Sequence, residues 1–146
     1  MPSLSTIVAK DLMSQPVITA KYDTPLSAVI KLLKDNAIRH LPIVNDNGQL
    51  MGIISNRDML VATSTPANID GQRWASHIMT PNPITATALL PASTLASLLI
   101  QHKIGCLPIL AAQNIVGIVT ESDFVQFFAG IAKNKNPSPV RIASKC

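Results

Sequence analysis

The chain has 146 residues, 47% of them hydrophobic and 14% charged, which excludes a disordered polymer, since folded domains carry about 25% charged residues. Its five aromatics (three Phe, one Tyr, one Trp) imply an aliphatic core, which suits packed strands and helices better than a stacking platform for bases. Four of the twelve Lys and Arg lie after residue 132, so the net +4 is a basic tail on a body of eight basic and eight acidic residues; nucleic acid is not the expected partner.

The opening residues, MPSLSTIVAKDLM, lack the basic and apolar regions of a secretory signal. Cys106 and Cys146 are 40 positions apart with no His or Cys cluster at metal-ligand spacing. Cys106 reads as a small core hydrophobe, and the pair as thiols of a reducing, cytoplasmic setting. From Trp74 to His102 there is no Asp, Glu, Lys or Arg, but Pro83 and Pro91 interrupt the stretch. It is therefore not expected to span a membrane.

Taken in order, a short helix over Thr6–Met13 is followed by an extended stretch, Pro16–Ala20. Thr24 then reads as an N-cap with Pro25 at the first helical position. Leu26, Val29, Ile30 and Leu33 follow at i, i+3, i+4 and i+7, which predicts a helix with one buried face. Two strands, Leu41–Asn45 and Leu50–Ser55, flank Asp46-Asn47-Gly48, a strong hairpin turn. A closing helix starts behind Ser55.

The chain then repeats itself. Residues 9–46 align with 75–112 at an offset of 66, and 49–60 with 114–125 at an offset of 65. Met13 matches Met79, Ile18-Thr19-Ala20 matches Ile84-Thr85-Ala86, and Pro25 matches Pro91. Leu41-Pro42-Ile43 matches Leu107-Pro108-Ile109, Gly52-Ile53 matches Gly117-Ile118, and Asp58 matches Asp123. In the copy, Trp74–Met79 is the short helix and Pro83–Ala86 the extended stretch. Ala92, Leu95, Ala96 and Leu99 form the helix face, Ala112-Gln113-Asn114 the shorter turn, and Thr120 the last cap. Each unit reads β-α-β-β-α, an α/β fold of the α+β type. Two such units, at 7–63 and 74–131, are expected to pack sheet on sheet with helices outside, about a pseudo-twofold axis. Residues 64–73 read as a linker and 132–146 as a basic, mobile tail.

Enzyme templates are absent from the sequence: no G-x-S-x-G, no H-E-x-x-H, no phosphate-binding G-x-x-x-x-G-K loop. His40, His77 and His102 are scattered. The chain is not expected to be an enzyme or to hold a metal. What repeats is a strand-turn-helix element, Gly52-Ile-Ile-Ser55-Asn-Arg-Asp58 and Gly117-Ile-Val-Thr120-Glu-Ser-Asp123. Glycine inside a strand marks a close approach, of another backbone or of a ligand. A hydroxyl at a helix start, with a carboxylate three residues on, fits two readings. It is a capping device, or it offers an anion site beside an acceptor for the two hydroxyls of a ribose.

The motifs Met13-Ser-x-Pro-Val-Ile-Thr19, Ile38-Arg-His-Leu-Pro42-Ile-Val and Gly52-Ile-Ile-Ser-x-Arg-Asp58 resemble a CBS domain, the module named after cystathionine β-synthase. The second unit resembles it through Met79-Thr-x-x-Pro-Ile-Thr85, Ile104-Gly-Cys-Leu-Pro108-Ile and Gly117-Ile-Val-Thr-x-Ser-Asp123. The resemblance covers about residues 7–128 and implies a stand-alone tandem pair, a Bateman module. Such modules typically bind adenosine-containing ligands (AMP, ADP, ATP, S-adenosylmethionine) in clefts between the repeats. It implies Asp58 and Asp123 as ribose acceptors, with hydroxyl contacts from Thr19 and Ser55 and from Thr85 and Thr120. Val17, Ile18, Ile38, Leu41 and Pro42, with Ile84, Ile104, Leu107 and Pro108 in the copy, would frame adenine, largely through backbone.

Arg39, His40 and Arg57 are the phosphate candidates, with Lys21 as a further cation. The copy has Gly105, Cys106 and Ser122 where repeat 1 has Arg39, His40 and Arg57, so repeat 1 is expected to favour a phosphorylated ligand. The resemblance also implies a homodimer through helix faces, which suits the mean hydropathy of +0.31. Phe124, Phe127 and Phe128 all fall on the last helix, and not all three share one narrow face. The expected role is a regulatory sensor of adenine nucleotides acting on an effector protein in trans. The alternative is a structural adaptor dimer without a nucleotide.

Overall fold

The computed structural model describes residues 6–64 and 73–132; the central part of the expected linker and the tail after 132 lie outside the described residues. The described residues form a mixed α/β fold with two sheets and six helices. They fall into two compact units: residues 18–83 form one, and residues up to 17 join residues from 84 onward in the other. Each unit thus takes its short opening helix from the other sequence repeat.

In the unit of residues 18–83, β1 (Ala20–Lys21) runs parallel to β2 (His40–Val44). Strand β2 pairs antiparallel with β3 (Leu50–Ser55), with His40 opposite Ser55. The hairpin closes as the turn chemistry predicts. Asn45 Oδ1 accepts from the amides of Asn47 and Gln49, each at 2.9 Å, and Gly48 takes φ +80°. Helix α2 (Leu26–Asp35) turns Leu26, Val29 and Leu33 inward, with Ile30 half-buried beside them. Helix α3 (Asn56–Ala62) closes the repeat. Helix α4 (Ala75–Ile78) leads into β4 (Thr80–Pro81), which pairs with β3 and makes this sheet four-stranded, where three strands were expected. The core gathers Leu26, Val29, Leu33, Leu41, Ile43 and Ile54 with Ala75.

The other unit starts with α1 (Ala9–Leu12). Its sheet is β5 (Ala86–Thr87), parallel to β6 (Cys106–Ala111), which is antiparallel to β7 (Asn114–Thr120). Helix α5 (Ala92–His102) buries Ala92, Leu95 and Leu99. Helix α6 (Glu121–Ala132) ends the described chain. Its Phe124 and Phe127 pack on a core that includes Ile7, Ala9, Leu12, Leu95, Leu107 and Val119. Phe128 stays partly exposed, edge-on to Phe127 with ring centroids 5.8 Å apart. Cys106 is buried in this core region, and desolvation pushes its thiol up to about 12, as suits a packing residue.

The expected helix starts move by one residue. Pro25 and Pro91 are themselves the caps, with extended ψ of 150° and 145°, and neither helix has a side-chain cap. Thr24 is occupied differently: its carbonyl accepts from the amide of Ala75 at 2.8 Å, tying the first turn to α4. The expected strands at 16–20 and 83–86 shorten to the two-residue strands β1 and β5. Helices α2 and α5 end on left-handed residues, Ala37 (φ 53°) and Lys103 (φ 54°), where glycine is usual.

Candidate functional site

The strand-to-helix turn of repeat 1 is built by the β2–β3 hairpin. Register places His40 against Ser55, and the amide of Asn56 donates to the carbonyl of Arg39 at 2.7 Å. Arg39, His40, Ser55, Arg57 and Asp58 are thereby gathered around one turn. Ser55 and Asp58 form a reciprocal cap: the Asp58 amide donates to Ser55 Oγ (3.0 Å) and the Ser55 amide to Asp58 Oδ2 (2.8 Å). Asp58 is half-buried, and its Oδ1 has no hydrogen-bond partner among the described residues. Arg39 and Arg57 are exposed and in no ion pair with described residues. Lys21, in contrast, is committed to Asp46 at 2.7 Å, and that hydrogen bond raises its pKa.

In repeat 2 the same spacing gives a different arrangement. The Thr120 amide donates to Asp123 Oδ2 at 2.8 Å, and the Thr120 hydroxyl lies 3.3 Å from the same oxygen and 3.0 Å from Ser122 Oγ. Asp123 Oδ1 accepts from the hydroxyl of Ser14 at 2.9 Å, 109 residues away in sequence. Asp123 is 8% exposed. Desolvation raises its pKa, and the bonds from Thr120 and Ser14 oppose that shift. Ser14 escapes a reading of repeats alone. The available signal is that a hydroxyl residue follows the matched methionine in both copies, Ser14 after Met13 and Thr80 after Met79.

The strand glycines have an explanation within the fold. A Cβ on Gly52 would lie 2.6 Å from Met79 Sδ and 2.8 Å from the Thr80 carbonyl; one on Gly117 would meet Met13 Sδ and, at 2.8 Å, Met13 Cγ. The close approach is made by the chain's own opening segments. Of the adenine-frame residues, Leu41, Pro42, Leu107 and Pro108 are fully buried, their side chains packed inside the fold. Ile38 and Ile18 line one core, and Ile84 and Ile104 the other. Val17, Thr19 and Thr85 are half-buried. Among the described residues no group of three His, Cys, Asp or Glu could hold a metal ion, and no helix is long and apolar enough to cross a membrane.

Two β-hairpin units, each ending in a Ser/Thr-x-x-Asp turn into a helix, define a tandem module of the CBS type. The family model for the CBS domain matches residues 9–64 and again 75–130, and the chain belongs to the CBS domain family. A CBS domain-containing protein of Dictyostelium discoideum is 31% identical over 141 residues, spanning 90% of this chain and 97% of its own. L-aspartate semialdehyde sulfurtransferase of Methanocaldococcus jannaschii is 34% identical over 131 residues, which cover 89% of this chain but 25% of that enzyme. Among solved structures, the CBS domain pair of protein MJ0100, in complex with 5′-methylthioadenosine and S-adenosyl-L-methionine, superposes with a TM-score of 0.75. It is 32% identical and covers 86% of this chain and 98% of its own. CBSX2 in complex with AMP gives a TM-score of 0.76 at 25% identity, covering 86% of this chain and 98% of its own.

Proposed function

We propose that this chain is a cytoplasmic, regulatory binding module for adenosine-containing ligands of the AMP, ADP and ATP class, S-adenosylmethionine included. The observation that carries the reading is the Asp58 carboxylate. One oxygen is fixed by the Ser55 amide, and the other is left without a partner among the described residues, on the turn that gathers the exposed Arg39 and Arg57. A carboxylate held this way accepts ribose hydroxyls through charge-assisted bonds, while Arg39, His40 and Arg57 meet phosphate. Asp123 with Thr120 is the equivalent element of repeat 2. The adenosine compounds held by two similar CBS pairs support the ligand class. A ligand changes the module's state by its differential affinity for two conformations, and an effector protein in trans reads the change.

A thermal-shift panel of AMP, ADP, ATP, S-adenosylmethionine and NAD tests this. A ligand at 100 times its Kd adds about 2.7 kcal/mol of stability, and Asp58→Ala is expected to remove most of that gain. A flat panel on the wild-type chain sinks the reading in favour of a structural adaptor, and turnover of any nucleotide overturns the non-catalytic assignment.

The same reading includes a homodimer. Leu60 and Val61 on α3, Ile100 on α5, and Val125 and Phe128 on α6 are large apolar side chains left exposed on helices. Sedimentation equilibrium at micromolar concentration is expected to give twice the 15.6 kDa chain mass; a single-chain mass refutes the dimer.

A further inference from the structure

The ligand hydroxyl that Asp58 awaits has a counterpart already seated on Asp123. Ser14 Oγ donates to Asp123 Oδ1 at 2.9 Å, while Oδ2 is held by the Thr120 amide at 2.8 Å and lies 3.3 Å from the Thr120 hydroxyl. Both oxygens of this buried carboxylate are therefore engaged by the protein itself. Ser14 is itself exposed, and its backbone is bridged to Ile118 of β7: the Ser14 amide donates to the Ile118 carbonyl at 2.9 Å. The hydroxyl is thus delivered by a backbone pairing. In the unit that holds Asp58 the matching residue is Thr80 of the second copy, which is exposed in β4 and makes no bond to Asp58.

We infer that Ser14 is an internal competitor for the repeat-2 site: its hydroxyl occupies the acceptor oxygen that a ribose hydroxyl needs, so that the Asp58 site fills first and the Asp123 site only at higher ligand concentration. This rests on the reading that these carboxylates accept ligand hydroxyls. The competition needs no large motion. A ligand diol displaces one exposed hydroxyl, which passes to water, and the carboxylate keeps its bonds from Thr120. The ligand must exchange against an existing charge-assisted bond at Asp123, whereas at Asp58 it meets an oxygen without a partner among the described residues.

The test is isothermal titration with AMP, and in parallel with S-adenosylmethionine, on the full chain as wild type and as Asp58→Ala, Asp58→Ala/Ser14→Ala and Asp58→Ala/Ser14→Thr. Thermal melts establish that each variant is folded. Asp58→Ala is expected to abolish the tight site and leave weak binding. Adding Ser14→Ala should tighten that residual binding by about tenfold, while Ser14→Thr, which keeps the hydroxyl, should stay as weak as Asp58→Ala alone. A merely structural Ser14 would give the opposite sign, since loosening the turn weakens binding. If Asp58→Ala loses the tight site and Ser14→Ala then restores nothing, the competition is wrong although the ligand reading stands. Tight wild-type binding that survives Asp58→Ala and is lost in Asp123→Ala also overturns it. If the wild-type chain binds neither probe, the ligand reading fails and the competition with it.

Discussion

At residues 55–58 the hydroxyl and the carboxylate cap each other and leave one carboxylate oxygen without a partner among the described residues. At residues 120–123 the carboxylate takes the Thr120 amide, while the hydroxyl turns to Ser122 and to Asp123 Oδ2. There the last oxygen goes to Ser14. The difference comes from the segment that precedes each two-residue strand. The first copy ends its short helix on Met13-Ser14, the second on Met79-Thr80, and only the serine reaches its aspartate. Duplicated motifs thus share a local geometry and differ in what remains for a ligand.

The largest effect that would sharpen this comparison is at the paired glycines. A methyl at Gly52 meets the Thr80 carbonyl at 2.8 Å, which is backbone held in the β3–β4 pairing and has nowhere to go. The three atoms nearest a methyl at Gly117 all belong to the Met13 side chain; its thioether can re-rotate, while Cβ stays at 3.1 Å. Gly52→Ala is expected to cost about 3 kcal/mol and Gly117→Ala about 1 kcal/mol, read from chemical-denaturation midpoints. Equal costs would mean that the two opening segments are equally rigid.

A smaller effect separates the caps. Ser55 Oγ accepts the Asp58 amide at 3.0 Å, so Ser55→Ala should cost about 1 kcal/mol. The Thr120 hydroxyl bonds to side chains rather than to that amide, so Thr120→Ala should cost about half as much. The same denaturation series decides it, and a Thr120→Ala cost above that of Ser55→Ala breaks the distinction.

Much of this was legible in the residues. The near-constant offset exposed the duplication, the i, i+3, i+4, i+7 spacing located the buried faces of α2 and α5, and Asp46-Asn47-Gly48 located a turn, because each is a local rule that tertiary packing did not override. The contacts made across sequence were not legible. Gly52 and Gly117 signalled close approach, but the partner was Met79 with Thr80, or Met13, from a segment assigned to the other repeat. Thr24 looked like a cap because Thr-Pro at a helix start is a strong local signal, yet α2 begins behind Pro25 with no side-chain cap. Lys21 looked available until the turn brought Asp46 to it. At the candidate site, spacing located Ser55, Asp58, Thr120 and Asp123, while the bond that distinguishes the two turns joins residues 109 apart.

The smallest effect is a pH slope, and its sign is opposite to that of most carboxylates. Desolvation raises the pKa of Asp123 above its ordinary 3.8, with the Thr120 and Ser14 bonds only partly offsetting it. The folded state therefore binds the proton more tightly than the unfolded chain does. The stability this contributes is fully present below the unfolded pKa and is lost as pH rises through the raised folded value. Above that raised value Asp123 is a buried charge carried at a cost. Replacing it by Asn removes the titration while keeping an acceptor for the Ser14 hydroxyl. The stability of the wild type relative to Asp123→Asn should then fall as pH rises above 3.8 through the raised folded value, by denaturation at a series of pH values. A relative stability that rises over that interval would show a carboxylate stabilised by its hydrogen bonds more than it is penalised by burial. In that case Ser14 would be a stronger competitor than the exchange of one hydroxyl for another implies.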